Sequence, residues 1–196
     1  TIRSTRQVHA CDDPHDWTSL VKSALLLSGL VPSDPGADLQ SHLESIGGGI
    51  EIAIHSNVPK GSGLGTSSIL GSTLLACLDR LAGRKMDQSD IIMRTSVLEQ
   101  MMSTRGGWQD QVGGVARGLK IGRTMPGKIQ DPKVEHIRTS PEFQRELASR
   151  AILLFTGQRR MARNLLERIV SGYLARDENV YNTIPLLKDG AEQMVL

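Results

Sequence analysis

The stretch NVPKGSGLGTSSIL, residues 57–70, decides how the chain reads. Gly61, Gly63 and Gly65 alternate, and the hydroxyls of Thr66, Ser67 and Ser68 follow at once. The stretch lies between an alternating apolar segment and a long segment of helical periodicity. Glycine permits positive φ and a close backbone approach to a ligand. The first N–H groups of the helix that follows have no partners within it, and they and the macrodipole favour an anion. One helix N-terminus contributes only about 0.3–1 kcal/mol when exposed and up to ~2 when partly buried. Tight binding of a di- or triphosphate therefore needs several N–H and O–H donors together with magnesium. The stretch is not a Walker loop, because Lys60 precedes the glycines. Nor is it a dinucleotide fingerprint, because the glycines run G-x-G-x-G rather than G-x-G-x-x-G.

Upstream, GGGIEIAIHSN has the period of a strand, with Ile50, Ile52 and Ile54 on one face. Downstream, Ile69, Leu70, Leu74, Cys77, Leu78 and Leu81 recur at helical spacing, and Gly83 is placed to end that helix. Cys77 reads as a buried small hydrophobe. A second helix is expected from Ser89, with Ile92, Leu98, Met101 and Met102 inside. RGGWQDQVGG breaks the helical pattern and reads as a loop, RGLKIGR reads as a strand, and residues 125–140 read as a polar connection. AILLFTG reads as a buried strand before a helix over about 160–175, and a last helix is expected from about Ile184. Near the start, TIRSTRQVHA reads as a strand, Asp16 as the cap of a helix closed by Gly29 and Pro32, and LQSHLESI as a short helix. Mixed strands and helices make the class α+β.

The 196 residues suffice for a substantial core. A net charge of +2 gives no electrostatic ground for nucleic-acid or membrane partners. Aromatics at 3% leave little for a base-stacking platform. No apolar run reaches membrane-spanning length. Cys11 and Cys77 show no metal-ligand spacing and read as reduced thiols of a cytoplasmic protein. The chain starts at Thr1 rather than Met and ends inside an apolar, helix-like stretch, so it reads as an internal fragment.

PKGSGLGTSS resembles the phosphate-binding motif of the GHMP small-molecule kinases, Pro-x-x-x-Gly-Leu-Gly-Ser-Ser-Ala. Pro59, Gly63, Leu64, Gly65, Ser67 and Ser68 are kept, with Thr66 for the first serine and Ile69 for the alanine. The resemblance implies a two-lobe α+β fold in which the first lobe carries a left-handed β-α-β unit. Residues 1–140 would be that lobe without its first strand and motif, and residues 141–196 the start of the second. It also implies ATP as cofactor, held by Pro59, Lys60, Gly61, Ser62, Gly63, Leu64, Gly65, Thr66, Ser67 and Ser68.

A second constellation is LEQMMSTRGGWQDQVGG, residues 98–114. From position alone Glu99 reads as a surface carboxylate and Asp110 as a turn or capping residue. The resemblance gives them roles. Ser68 and Glu99 match the family's magnesium ligands, a set of oxygens suited to a hard cation. Asp110 matches the carboxylate that orients or deprotonates the sugar hydroxyl. Trp108 either stacks on a sugar ring or packs in the core, and Gln109 and Gln111 could bond sugar hydroxyls. Arg159, Arg160 and Arg163 either face solvent or reach a phosphate. GGWQDQVGG and FTGQRRMARNLL look most like the fucokinase branch. That branch implies ATP-dependent phosphorylation of L-fucose at the anomeric hydroxyl, on the salvage route to GDP-fucose. The alternatives are a kinase for a heptose phosphate or another sugar, and a non-catalytic nucleotide- and sugar-binding sensor.

Overall fold

The structure is a computed structural model that describes residues 1–13, 15–59, 61–102, 106–127, 130–154 and 162–195, without the side chains of 162–165. Its centre is α4, Thr66–Leu81. The buried positions of α4 are Ser68, Gly71, Ser72, Leu74, Leu75, Leu78 and Asp79, one face at i, i+3, i+4, i+7 spacing. Against it pack α2, Ser19–Ser28, α5, Gln88–Met101, and α6, Gln109–Val115. The core joins Leu74, Leu75 and Leu78 of α4 to Ala24 and Leu25 of α2 and Leu98 of α5. Val8 from α1, Thr5–His9, Leu30 and Val31 just after α2, and Leu39 from α3, Leu39–Ser45, complete it.

Caps fix where these helices begin and end. Asp87 accepts from the Asp90 N–H, and Asp90 accepts from the Asp87 N–H, so a reciprocal capping box starts α5 one residue before the expected Ser89. Asp38 caps α3. Gly83, with φ 73°, closes α4 as expected. Asp16 sits just ahead of α2, where its Oδ1 accepts from the N–H and the hydroxyl of Thr18. A buried ion cluster ties three helices together. Asp79 of α4 accepts from Arg84 Nε and Arg94 Nη1, each at 2.7 Å, and the two guanidinium groups also donate to Ser28 O and Leu27 O at the end of α2.

Strands β1, Lys120–Arg123, and β2, Lys133–His136, form an antiparallel pair with Lys120 opposite His136. The mixed α and β class holds. Among the described residues this pair is the sheet, so the left-handed β-α-β unit is not displayed. Helix α7, Pro141–Arg150, buries no residue. Helices α8, Ala162–Leu174, and α9, Glu178–Gln193, form a hairpin in which Tyr173 stacks on Tyr181 at 5.5 Å. Arg123 of β1 grips Glu192 of α9 with two nitrogens. No helix among the described residues is long and apolar enough to cross a membrane.

Several expectations are corrected. Residues 5–9 are helical rather than extended, because Ser4 caps them and Thr5 and Val8, one turn apart, both enter the core. GGGIEIAIHSN keeps its alternation, with Ile50 and Ile52 packed on the core, but belongs to no ladder among the described residues. The connection 125–140 contains β2. The expected strand AILLFTG is neither buried nor paired where described: Ile152, Leu153 and Leu154 are 80–91% exposed. An all-apolar strand needs both faces covered, and nothing described covers this one. Cys77 is exposed, since it shares the outward side of α4 with Thr73 while Leu74 and Leu78 turn inward. Helix α9 begins six residues earlier than expected, at Glu178 after the cap Asp177.

Candidate active site

The glycine-rich stretch delivers the chain into α4 through three positive φ values, 75° at Gly61, 77° at Gly63 and 65° at Gly65. Gly65 is the N-cap, and no side chain caps the first turn. The first-turn N–H donors are therefore left to whatever binds there. Ser62 Oγ and Thr66 Oγ1 lie 3.5 Å apart across the loop, Ser67 is exposed, and Leu64 faces solvent. Pro59 accepts from the Ser62 N–H through its carbonyl. Lys60 lies outside the described residues, as do Arg159 and Arg160 and the side chain of Arg163.

Ser68 is on the inward face of this first turn and is 1% exposed. On α5 the buried residues are Ile92, Thr95, Leu98 and Glu99, so the helical stripe that packs on α4 carries Glu99 inward with it. The two meet: Ser68 Oγ donates to Glu99 Oε1. The other carboxylate oxygen, Oε2, accepts from Gln111 Nε2 at 2.9 Å. Burial holds the Glu99 carboxyl above the ordinary carboxylate range. The Ser68 hydrogen bond opposes that rise, the Asp110 charge adds to it, and the Gln111 hydrogen bond again opposes it.

Asp110 is not in a loop, as the sequence suggests, but in the first turn of α6. Val112 and Ala116, one turn apart, are buried and anchor that helix. The glycines that looked like breakers serve close packing: a Cβ on Gly114 would come within 2.6 Å of Ile69 Cγ1 on α4. This approach brings Asp110 to the glycine-rich loop, where a Cβ on Gly65 would lie 3.3 Å from Asp110 Cβ and Cγ. Asp110 is itself exposed, so its carboxylate is open to a ligand.

Two carboxylates beside a hydroxyl and a helix N-terminus fit a hard divalent cation that arrives with phosphate. Among the described residues no three His, Cys, Asp or Glu side chains converge into a cage. A cation here would therefore draw on the Ser68 hydroxyl, the Glu99 carboxylate and phosphate oxygens, as magnesium commonly does.

The structure thus unites Ser68, Glu99, Asp110 and the glycine loop. It parts the two glutamines. Gln109 is exposed and folds over Gly107, whereas Gln111 is 1% exposed and bonded to Glu99 rather than open to a sugar. Trp108 packs its ring on Gly122 of β1. Sequence reasoning missed the Gln111–Glu99 contact. Its signal was the one-residue offset from Asp110, which on a short helix turns Gln111 inward when Asp110 faces out.

Residues 37–118 match the family of the GHMP kinases N terminal domain. These residues are a GHMP kinase N-terminal domain. The chain is 39% identical over 183 residues to the L-fucokinase/L-fucose-1-P guanylyltransferase of Bacteroides fragilis, covering 90% of this chain and 19% of that protein. It is 38% identical over 185 residues to the bifunctional fucokinase/GDP-fucose pyrophosphorylase of Arabidopsis thaliana, covering 92% of this chain and 17% of that protein. The chain thus spans less than a fifth of the length of these relatives. No solved structure matches it.

Proposed function

We propose that the protein transfers the γ-phosphoryl group of ATP to the anomeric hydroxyl of L-fucose, giving L-fucose 1-phosphate on the cytoplasmic salvage route to GDP-fucose. The observation that carries this is the meeting of Asp110, Ser68 and Glu99 at the N-terminus of α4. The fucokinase names of the two relatives favour the choice of sugar. In this reading residues 1–140 serve as the first lobe of the kinase and residues 141–196 begin the second.

Phosphoryl transfer depends mainly on positioning and charge stabilisation. The loop of residues 59–68 wraps the triphosphate with N–H and hydroxyl donors. Ser68 and Glu99 hold magnesium, which when bound neutralises charge on the phosphate oxygens. Asp110 accepts a hydrogen bond from the sugar hydroxyl and aims its oxygen at the phosphorus. A carboxylate is a weak base toward a sugar hydroxyl, which is far less acidic than a carboxylic acid. Asp110 chiefly orients the hydroxyl and takes its proton late, as the new sugar O–P bond forms and the bond from the γ-phosphorus to the ADP oxygen breaks, so that ADP leaves.

A panel of L-fucose, D-galactose and a heptose 7-phosphate, each with ATP and magnesium, tests the assignment on the full-length protein. ADP release that depends on L-fucose is expected. Release with the heptose phosphate or galactose alone would reassign the substrate. Nucleotide and sugar binding without turnover would make the protein a sensor.

A further inference from the structure

We infer that Gln111 is a positioning residue for the magnesium-binding carboxylate, acting through both ends of its amide. The inference rests on the reading of Ser68 and Glu99 as magnesium ligands. Gln111 is 1% exposed, among the largest fully buried side chains of the chain, and lies directly after the exposed Asp110 on α6. Its Nε2 donates to Glu99 Oε2 at 2.9 Å, while Ser68 donates to Oε1, so the two oxygens of Glu99 are held from two different helices. A carboxylate accepts and does not donate, which fixes which arm of the Gln111 amide faces it. The other arm, Oε1, is buried and has no hydrogen-bond partner among the described residues.

An unpartnered buried carbonyl oxygen is costly and calls for a donor. Oε1 belongs to the same amide whose Nε2 donates to Glu99. The donor that suits it is an O–H of a water carried by the cation, since magnesium keeps several waters when proteins bind it. Such outer partners orient metal ligands, and their loss commonly lowers metal affinity about 10–100-fold. A structural amide would have both arms satisfied by protein. Here one arm holds the ligand and the other is left for what the ligand brings. Gln111 also links α6, which carries Asp110, to α5, which carries Glu99.

The test separates metal from nucleotide. For the full-length protein, ATP affinity is measured by calorimetry once with excess EDTA and once with Mn²⁺, and the ratio gives the gain that metal confers. Gln111→Met keeps the length and removes both polar arms. It is expected to cut the metal-conferred gain about tenfold and to leave the affinity measured with EDTA unchanged. Gln111→Asn, which withdraws the amide by one methylene, is expected to follow the same pattern, so the outcome does not hang on one variant folding. An unchanged gain in these variants overturns the inference, as does an equal fall in both affinities, which is what mere structural damage gives. Glu99→Gln is the control for the underlying site. If it loses the gain and the Gln111 variants keep it, the inference alone fails. If Glu99→Gln also keeps it, the metal assignment fails and the inference falls with it.

Discussion

Gly65→Ala is expected to damage both folding and turnover, whereas Gly83→Ala damages folding alone. Both glycines occupy the left-handed region, at φ 65° and 73°. A β-carbon there costs roughly 1–2 kcal/mol. With a urea m-value of about 1–3 kcal/mol/M, each variant should lose about 0.3–2 M in unfolding midpoint. The two sites differ in what the new methyl meets. At Gly83 nothing lies within 4 Å, so backbone strain is the whole effect. At Gly65 the methyl lies 3.3 Å from Cβ and Cγ of Asp110, tighter than ordinary contact, and Asp110 must move by a few tenths of an ångström. A displacement of about 1 Å can cost 100-fold in a positioned reaction. A roughly tenfold loss of kcat is therefore expected for Gly65→Ala, and none for Gly83→Ala. Urea unfolding followed by circular dichroism reads the first quantity, and steady-state ADP release with L-fucose reads the second. Wild-type kcat in Gly65→Ala, or an equal loss in both variants, would refute the placement of Asp110 against the phosphate loop.

Asp110→Asn should keep ATP affinity and lower kcat by roughly 10²–10⁴-fold; calorimetry and kinetics on one preparation decide it. Burial raises the folded-state pKa of Glu99, so its contribution to stability is full below the ordinary carboxylate range and is lost as pH rises through the raised value. Glu99→Gln should therefore gain in stability on the wild type as pH rises above the ordinary carboxylate range in metal-free buffer, and a difference independent of pH would contradict this. Asp79→Ala leaves Arg84 and Arg94 without their shared carboxylate. Because Arg84 is half exposed, the loss should sit at the lower end of the range for broken buried pairs, about 3 kcal/mol. A loss below about 1 kcal/mol, the scale of exposed pairs, would show that the cluster does not bind α2, α4 and α5 together.

The helices around the site were legible because burial on one face leaves a period. Leu74 and Leu78 of the expected α4 stripe, Ile92 and Leu98 of the α5 stripe, and the stop at Gly83 stand in the structure, whereas Ile69 and Leu81 at the ends of the first stripe are exposed. The glycine loop was legible for a different reason, since alternating glycines have few uses other than backbone conformations closed to other residues. What misled was composition without a partner. QDQVGGV looks broken because glycine is a poor helix former, yet tertiary contact with Ile69 rewards the missing side chain. AILL looks buried because it is apolar, but a strand is made by what pairs with it. Cys77 was misplaced by one helical step, enough to turn it from the core to solvent. Glu99 could not be told from a surface carboxylate by position, because its partner Ser68 is 31 residues away. Only the packing of α5 on α4 brings them together.

The central claim is that Ser68, Glu99 and Asp110 form one site for phosphoryl transfer to a sugar. Phosphorus NMR of the full-length protein with ATP, magnesium and L-fucose, run beside Asp110→Asn, tests it most directly. A new sugar 1-phosphate resonance is expected to grow in step with ADP in the wild type and to be nearly absent in the variant. ATP left intact by the wild type, or equal product from both proteins, would contradict it.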